Sequence, residues 1–364
     1  MPWVGTWAIA VQPSERTFKQ QTLRQIVHTS IGGGSARIRL SNVHGTGPLT
    51  VTSANLARPA RGSAVAPATV RPLTFLGAAS VTIPAGDAVV SDEVTFPVPA
   101  DGDVAVSLYV PGETGPSTGH GAGTQHNYVA AGDQSAAATL SGARATTSYS
   151  FLSGLDVRNP GATGAVVTFG ASITDGVGSA VSANRRWPNL LADRLRAAGH
   201  TVGVLNTGIS GNQLTADRFG DRAGRRLQRD VLDQPGARRV ILSDVAINDL
   251  GNSGTPSATL ITEFEQLVSR ARAAGLTVIC STLTPFRGAG YWTEAAEQGR
   301  AAFNTFIRSP GTGCDAVLDL ADATADPADP DRYARAYDSG DHLHPSNAGM
   351  QAIANAVDLT WLTP

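Results

Sequence analysis

With 364 residues, 41% of them hydrophobic, the chain can build sizeable packed cores and exceeds the usual span of one domain, so two domains are expected. A formal net charge of −2 gives no electrostatic case for nucleic acid or an anionic membrane surface as partner. No apolar run approaches the ~20 residues needed to span a bilayer, and Met1-Pro2-Trp3-Val4 has neither the charged nor the apolar region of a signal peptide.

Residues 1 to 158 read as all-β. Short alternating runs recur between Gly, Pro and Asn punctuation: Ala36 to Leu40, Leu49 to Val51, Val94 to Val98 and Val104 to Val110. Period-2 alternation with closely spaced turn signals predicts a sandwich of the jelly-roll kind. His28 and His44 flank these segments as structural residues, whereas His120 and His126, in a Gly-rich connection, are candidates for the border of a substrate surface. From Tyr149 the pattern fades into Arg158-Asn159-Pro160-Gly161, which marks the domain boundary.

Over residues 159–364 strands alternate with helices. Ala165 to Phe169, Val202 to Asn206, Val240 to Val245, Leu276 to Ser281 and Ala316 to Leu320 are apolar strand candidates. Leu260, Phe264, Leu267 and Ala271 step along one helical face, as do Leu191, Leu195 and Ala198. Alternating βα units predict a parallel sheet covered on both sides, a three-layer α/β/α domain. Cys280 and Cys314 are too few for a disulfide framework, and each lies in or beside a buried strand, so packing as core thiols is the expectation. Ala321 to Asp331 reads as a solvated acidic loop without the spacing of a calcium-binding loop.

The chemistry concentrates at Val166-Val167-Thr168-Phe169-Gly170-Ala171-Ser172. A strand delivers a serine into a small-residue turn, at the sheet edge where open α/β sheets place ligands. Far downstream, Asp341-His342-Leu343-His344 sets a carboxylate three residues before an imidazole. Nucleophile, base and base-orienting group are thereby all represented. His342 beside His344 is also a metal-ligand spacing, but no third ligand cluster accompanies it and the serine turn would go unexplained. Gly170 to Gly178 fits neither common nucleotide-binding glycine pattern. Asp175 and Asp249 are expected to hold local turns.

Four blocks in order resemble the SGNH or GDSL-type hydrolases. They are Gly170 to Gly176, Asn206 to Asn212, Ala246 to Asp249 and Asp338 to Pro345, and the resemblance spans about residues 160 to 364. Two positions depart from the family pattern: Ala171 stands where an aspartate is usual, and Ala246 where a glycine is usual. The resemblance implies a flavodoxin-like strand order, Ser172 as nucleophile, His344 as base and Asp341 as its orienting acid. The oxyanion hole would comprise the Ser172 and Gly211 amides and the Asn248 carboxamide, donors that stabilise charge developing on a carbonyl oxygen.

These readings converge on a serine esterase acting through an acyl-serine intermediate, with no metal or organic cofactor implied. Small acyl esters, acetylated carbohydrates among them, are the favoured substrates because similar accessory domains accompany carbohydrate-active relatives. A lipase, an acyltransferase using the same acyl-enzyme, and a glycan-binding protein with a vestigial hydrolase domain are the alternatives. Secretion is favoured by the resemblance alone, and oligomeric state is left open.

Overall fold

The structure, a computed structural model, describes residues 2–363 and divides into two compact units, one ending at Ala162 and the other beginning at Thr163.

The first unit is built from antiparallel sheets. One orders Val4–Ala8, Leu152–Arg158, Gly33–Ser41 and Val94–Val98, with Ala88–Val90 also on Gly33–Ser41. The other orders Arg144–Thr146, Asn127–Ala131, Gln21–Thr29, Gly102–Val110, Ser53–Ala57 and Arg71–Pro72. Ala36, Ile38 and Leu40 are fully buried while Arg37 and Arg39 between them are not, the alternation of a strand with one apolar face. In Gly102–Val110 every residue from Val104 to Leu108 is buried. Loops cover the second face there: buried Arg24 donates to Ser107 Oγ and to the carbonyls of Ser63 and Ala137.

Leu152–Arg158 lies between two partner strands, although the sequence pattern fades there. Its buried Asp156 is paired with Arg37 and Arg39, so a charged residue occupies a core position and breaks the apolar signature. His120 is also buried, with Nδ1 2.7 Å from the Ala10 carbonyl oxygen, so it borders no open substrate surface.

The second unit carries five parallel strands: β1 (Ala165–Phe169), β2 (Gly203–Asn206), β3 (Ala237–Leu242), β4 (Thr277–Ser281) and β5 (Ala316–Leu318). Their spatial order is β2-β1-β3-β4-β5, the flavodoxin-like arrangement. The helices are α1 (Ser172–Asp175), α2 (Trp187–Ala197), α3 (Ala223–Leu227), α4 (Ser257–Ala273), α5 (Glu294–Arg308), α6 (Leu320–Thr324) and α7 (Asn347–Ala356). In α4 the side chains Leu260, Phe264, Leu267 and Ala271 are all buried, as their spacing requires. Ala198 falls just past α2 and is exposed, because the helix ends one residue before it.

Three expectations are corrected here. Cys280 and Cys314 are joined in a disulfide, with Cα atoms 5.8 Å apart, because β4 and β5 are adjacent and set Cys280 beside Val317. The segment around Ala321 to Asp331 forms α6 and a hairpin of Ala325–Asp326 with Asp329–Tyr333. Two of its acids are ion-paired: Asp329 meets Arg287 and Arg332, and Asp331 meets Arg287 and Arg300. Strand β3 starts at Ala237, three residues before the expected Val240, since the pairing with β1 and β4 carries through the polar pair Arg238-Arg239. No helix among the described residues is long and apolar enough to cross a membrane.

Candidate active site

Strand β1 has neighbours on both sides, β2 and β3, whose connections leave in different directions. The resulting crevice at the carboxyl ends of the strands is where this architecture accepts ligands. Ser172 follows β1 there, on the first turn of α1, and is 5% exposed. Gly170 allows the turn: a Cβ at this position would lie 2.2 Å from Thr174 Oγ1 and 2.3 Å from Asp244 Oδ1. Asp244, fully buried just past β3, accepts from the Ile173 N–H at 2.9 Å and from Thr174 Oγ1 at 2.5 Å. It thus holds the serine turn against the third strand.

His344 Nε2 lies 2.9 Å from Ser172 Oγ, and His344 Nδ1 lies 2.6 Å from Asp341 Oδ2. An ionised carboxylate can only accept, so Nδ1 carries the proton and Nε2 is left to accept from the serine hydroxyl. Asp341 is fixed in turn by the N–H groups of Leu343 and His344, at 3.0 and 2.8 Å to Oδ1. Desolvation works against its charge, but the bonds from the His344 ring and from the His344 and Leu343 amides outweigh it and hold the carboxyl down at about 2. Ser346 then caps α7 by accepting from the Gly349 N–H.

His342 does not share this line. Its backbone is left-handed at φ 61°, its Nδ1 sits 2.5 Å from Asp338 Oδ2, and its ring packs near Gly288. The two imidazoles therefore serve two separate carboxylates.

The three donor candidates come from the loops after β1, β2 and β3. Ser172 opens α1, so its N–H has no acceptor within the helix. Gly211 occupies the third position of a turn closed by the Asn212 N–H to the Ile209 carbonyl at 3.0 Å, which leaves its own N–H outside that bond. Its φ of 78° and the Phe219 ring, 2.6 Å from where a Cβ would stand, both demand glycine. Asn248 directs Nδ2 to the Asn212 carbonyl at 3.0 Å, and its Oδ1 receives the Tyr291 hydroxyl at 3.4 Å. One N–H of the Asn248 amide remains to donate elsewhere. Burial, with the negative charges of Asp244 and Asp341, raises the Tyr291 phenol, so it stays a neutral donor.

Asp175 and Asp249 hold loops, but over a longer range than local turns. Asp175 accepts from the Ser210 N–H and Oγ, and Asp249 from the N–H groups of Leu214 and Thr215. Both tie the loop after β2 to its neighbours. Burial raises the Asp249 carboxyl against these hydrogen bonds. The methyls of Ala171 and Ala246 are fully buried. Sequence reasoning missed Asp244, whose partners lie in α1, and Arg226, which is buried and donates to the carbonyls of Gly170 and Thr207.

The parallel sheet of order β2-β1-β3-β4-β5 with its helices is consistent with an SGNH hydrolase fold. The GDSL-like lipase/acylhydrolase family model matches residues 168–352, and the chain belongs to that family. Its enzyme class is accordingly carboxylic ester hydrolase. No curated protein matches the chain. Similar solved structures include the psychrotrophic esterase EstA from Pseudoalteromonas sp., at 18% identity and TM-score 0.40, covering 53% of this chain and 93% of that one. A lipase/acylhydrolase from Enterococcus faecalis shows 20% identity and TM-score 0.43, covering 53% and 92%. A GDSL-like lipase from Bacteroides thetaiotaomicron shows 16% identity and TM-score 0.41, covering 55% and 88%.

Proposed function

We propose that the chain hydrolyses its esters in two steps through an acyl-serine at Ser172. The observation that carries this reading is the continuous line from Ser172 Oγ through the His344 ring to Asp341, at 2.9 and 2.6 Å. His344 Nε2 takes the hydroxyl proton as Oγ attacks the carbonyl carbon, and Asp341 stabilises the imidazolium that forms. Negative charge then develops on the carbonyl oxygen, where the Ser172 and Gly211 amides and the Asn248 carboxamide serve as donors. The imidazolium returns its proton to the leaving alcohol. Water, deprotonated by the same nitrogen, attacks the acyl carbon; the acyl–Oγ bond breaks, the imidazolium returns that proton to Ser172 Oγ, and the acid leaves.

Small acyl esters, including acetylated carbohydrates, are the substrate class we favour. Phe219 is 54% exposed and lies against Gly211, offering a flat apolar face at the donor site that suits the C–H face of a sugar ring. The same ring would also accept an acyl chain, which keeps a lipid ester as the rival. Hydrolysis rates over a series of para-nitrophenyl acyl lengths and acetylated sugars test the choice; a rate rising steadily with chain length contradicts it. Product analysis with competing alcohols separates hydrolysis from acyl transfer. Absence of turnover on every ester would favour the glycan-binding alternative. We assign residues 1–158 the role of an accessory β domain, and we place the protein outside the reducing cytoplasm, an assignment supported by the Cys280–Cys314 disulfide.

A further inference from the structure

We propose that Arg226 is the positioning residue that sets the oxyanion donors of this site against its nucleophile. The proposal rests on the reading of Ser172, Gly211 and Asn248 given above. Arg226, on α3, is 1% exposed and spends its guanidinium in several directions. Nη2 donates to the Gly170 carbonyl at 2.8 Å, two residues before the nucleophile. Nη1 donates to the Thr207 carbonyl at 2.7 Å and to Asp230 Oδ2 at 3.2 Å. Nε donates to Asn212 Oδ1 at 2.9 Å, on the residue that follows Gly211. The plane of the group lies over the Phe169 ring, 3.9 Å from its centre, at the end of β1.

The network reaches the third donor through one more bond. The main-chain carbonyl of Asn212 accepts from Asn248 Nδ2 at 3.0 Å. A single cation therefore spans the loops after β1 and β2 and, through Asn212, governs the loop after β3. Those are the loops that carry the donors. Arg226 has no hydrogen bond to Ser172 Oγ, His344 or Asp341 among the described residues. An ion pair with Asp230 needs only a charge, which lysine would supply. Serving three further acceptors around one plane needs the guanidinium fork. Removing the fork should therefore impair stabilisation of the developing oxyanion while leaving the base and its carboxylate as they are.

The test is a double-substitution cycle on the full chain, read with para-nitrophenyl acetate. Wild type should turn over and Ser172→Ala should not; retention of activity by Ser172→Ala would remove the underlying site reading itself. Given that control, Arg226→Lys should lower kcat by about tenfold or more, with KM within about threefold and the midpoint of the pH profile unmoved. In an Asn248→Ala background the same substitution should cost much less than in wild type, because both changes act on one set of donors. A kcat within about threefold of wild type, or losses that multiply fully in the double variant, would overturn the role of Arg226 alone. A purely structural arginine predicts that multiplication. If Arg226→Lys does not fold, Asn212→Ala, which cuts the Nε bond and leaves Arg226 in place, takes its place in the cycle under the same criteria.

Discussion

The nucleophile proposed at Ser172 is a hydroxyl, a poor nucleophile until a base stands within hydrogen-bond reach. Of the two neighbouring imidazoles, only that of His344 is bonded to the serine, while His342 is bonded to Asp338. His344→Ala should nearly abolish turnover, and His342→Ala should cost far less; kinetics of the two variants, with and without chelator, check this. Comparable losses with chelator sensitivity would point instead to a metal at the two histidines. Asn248→Ala should lower kcat by ~10²–10³ with little change in KM, since a donor to developing charge acts in the transition state. A pure KM effect would move Asn248 to ground-state binding. The Asp341 carboxyl, held down at about 2, keeps its charge through mild acid. Its folded value lies below the ordinary carboxylate range, so its contribution to stability is present above about pH 4 and is lost as pH falls through about 2. The acid limb of kcat/KM above about pH 4 should therefore reflect a single proton taken up by the base; a limb of second order there would contradict the assignment. The line from Ser172 through His344 to Asp341 was legible because its residues fall in short contiguous blocks. Asp244 and the bond of Arg226 to the nucleophile turn were not, because Ile173 lies 71 residues from Asp244 and Gly170 56 residues from Arg226, and no local spacing encodes such pairings.

At the scale of elements, β1 was legible to the residue because its five side chains are all buried and the run is uninterrupted. The start of β3 was misplaced because Arg238 and Arg239 conceal backbone pairing that side-chain hydropathy does not report. The strand Leu152–Arg158 was obscured in the same way by buried Asp156. The turn at Gly211 is set by backbone geometry, so Gly211→Ala should reduce kcat although it removes no polar group; unchanged kinetics would show that its amide takes no part. The disulfide between β4 and β5 was invisible in the spacing of two cysteines and follows from strand adjacency. Closing a chain segment of this length is worth about 3–4 kcal/mol in the chain-entropy account. Replacing both cysteines with alanine should lower the unfolding temperature of the second unit and leave most of the esterase activity; thermal melts with and without reductant check it.

Across the whole molecule, the change from alternating strands to βα units marked two domains, and the contact pattern separates the chain at Ala162 and Thr163. The first unit completes its sheets from its own strands, with Leu152–Arg158 pairing back to Val4–Ala8 and Gly33–Ser41. Expressed alone, residues 1–158 should unfold in one cooperative transition and show no esterase activity; a molten fragment would mean that its core needs the rest of the chain. The second unit carries the proposed chemistry, and its central claim is a covalent acyl-enzyme on one serine. Intact-mass and peptide mapping after a fluorophosphonate probe tests that claim most directly. A single adduct on Ser172 is expected in wild type, none in Ser172→Ala, and a fall in kcat of ~10³–10⁶ in that variant. An adduct on another residue, or a Ser172→Ala protein that keeps most of its turnover, would contradict it.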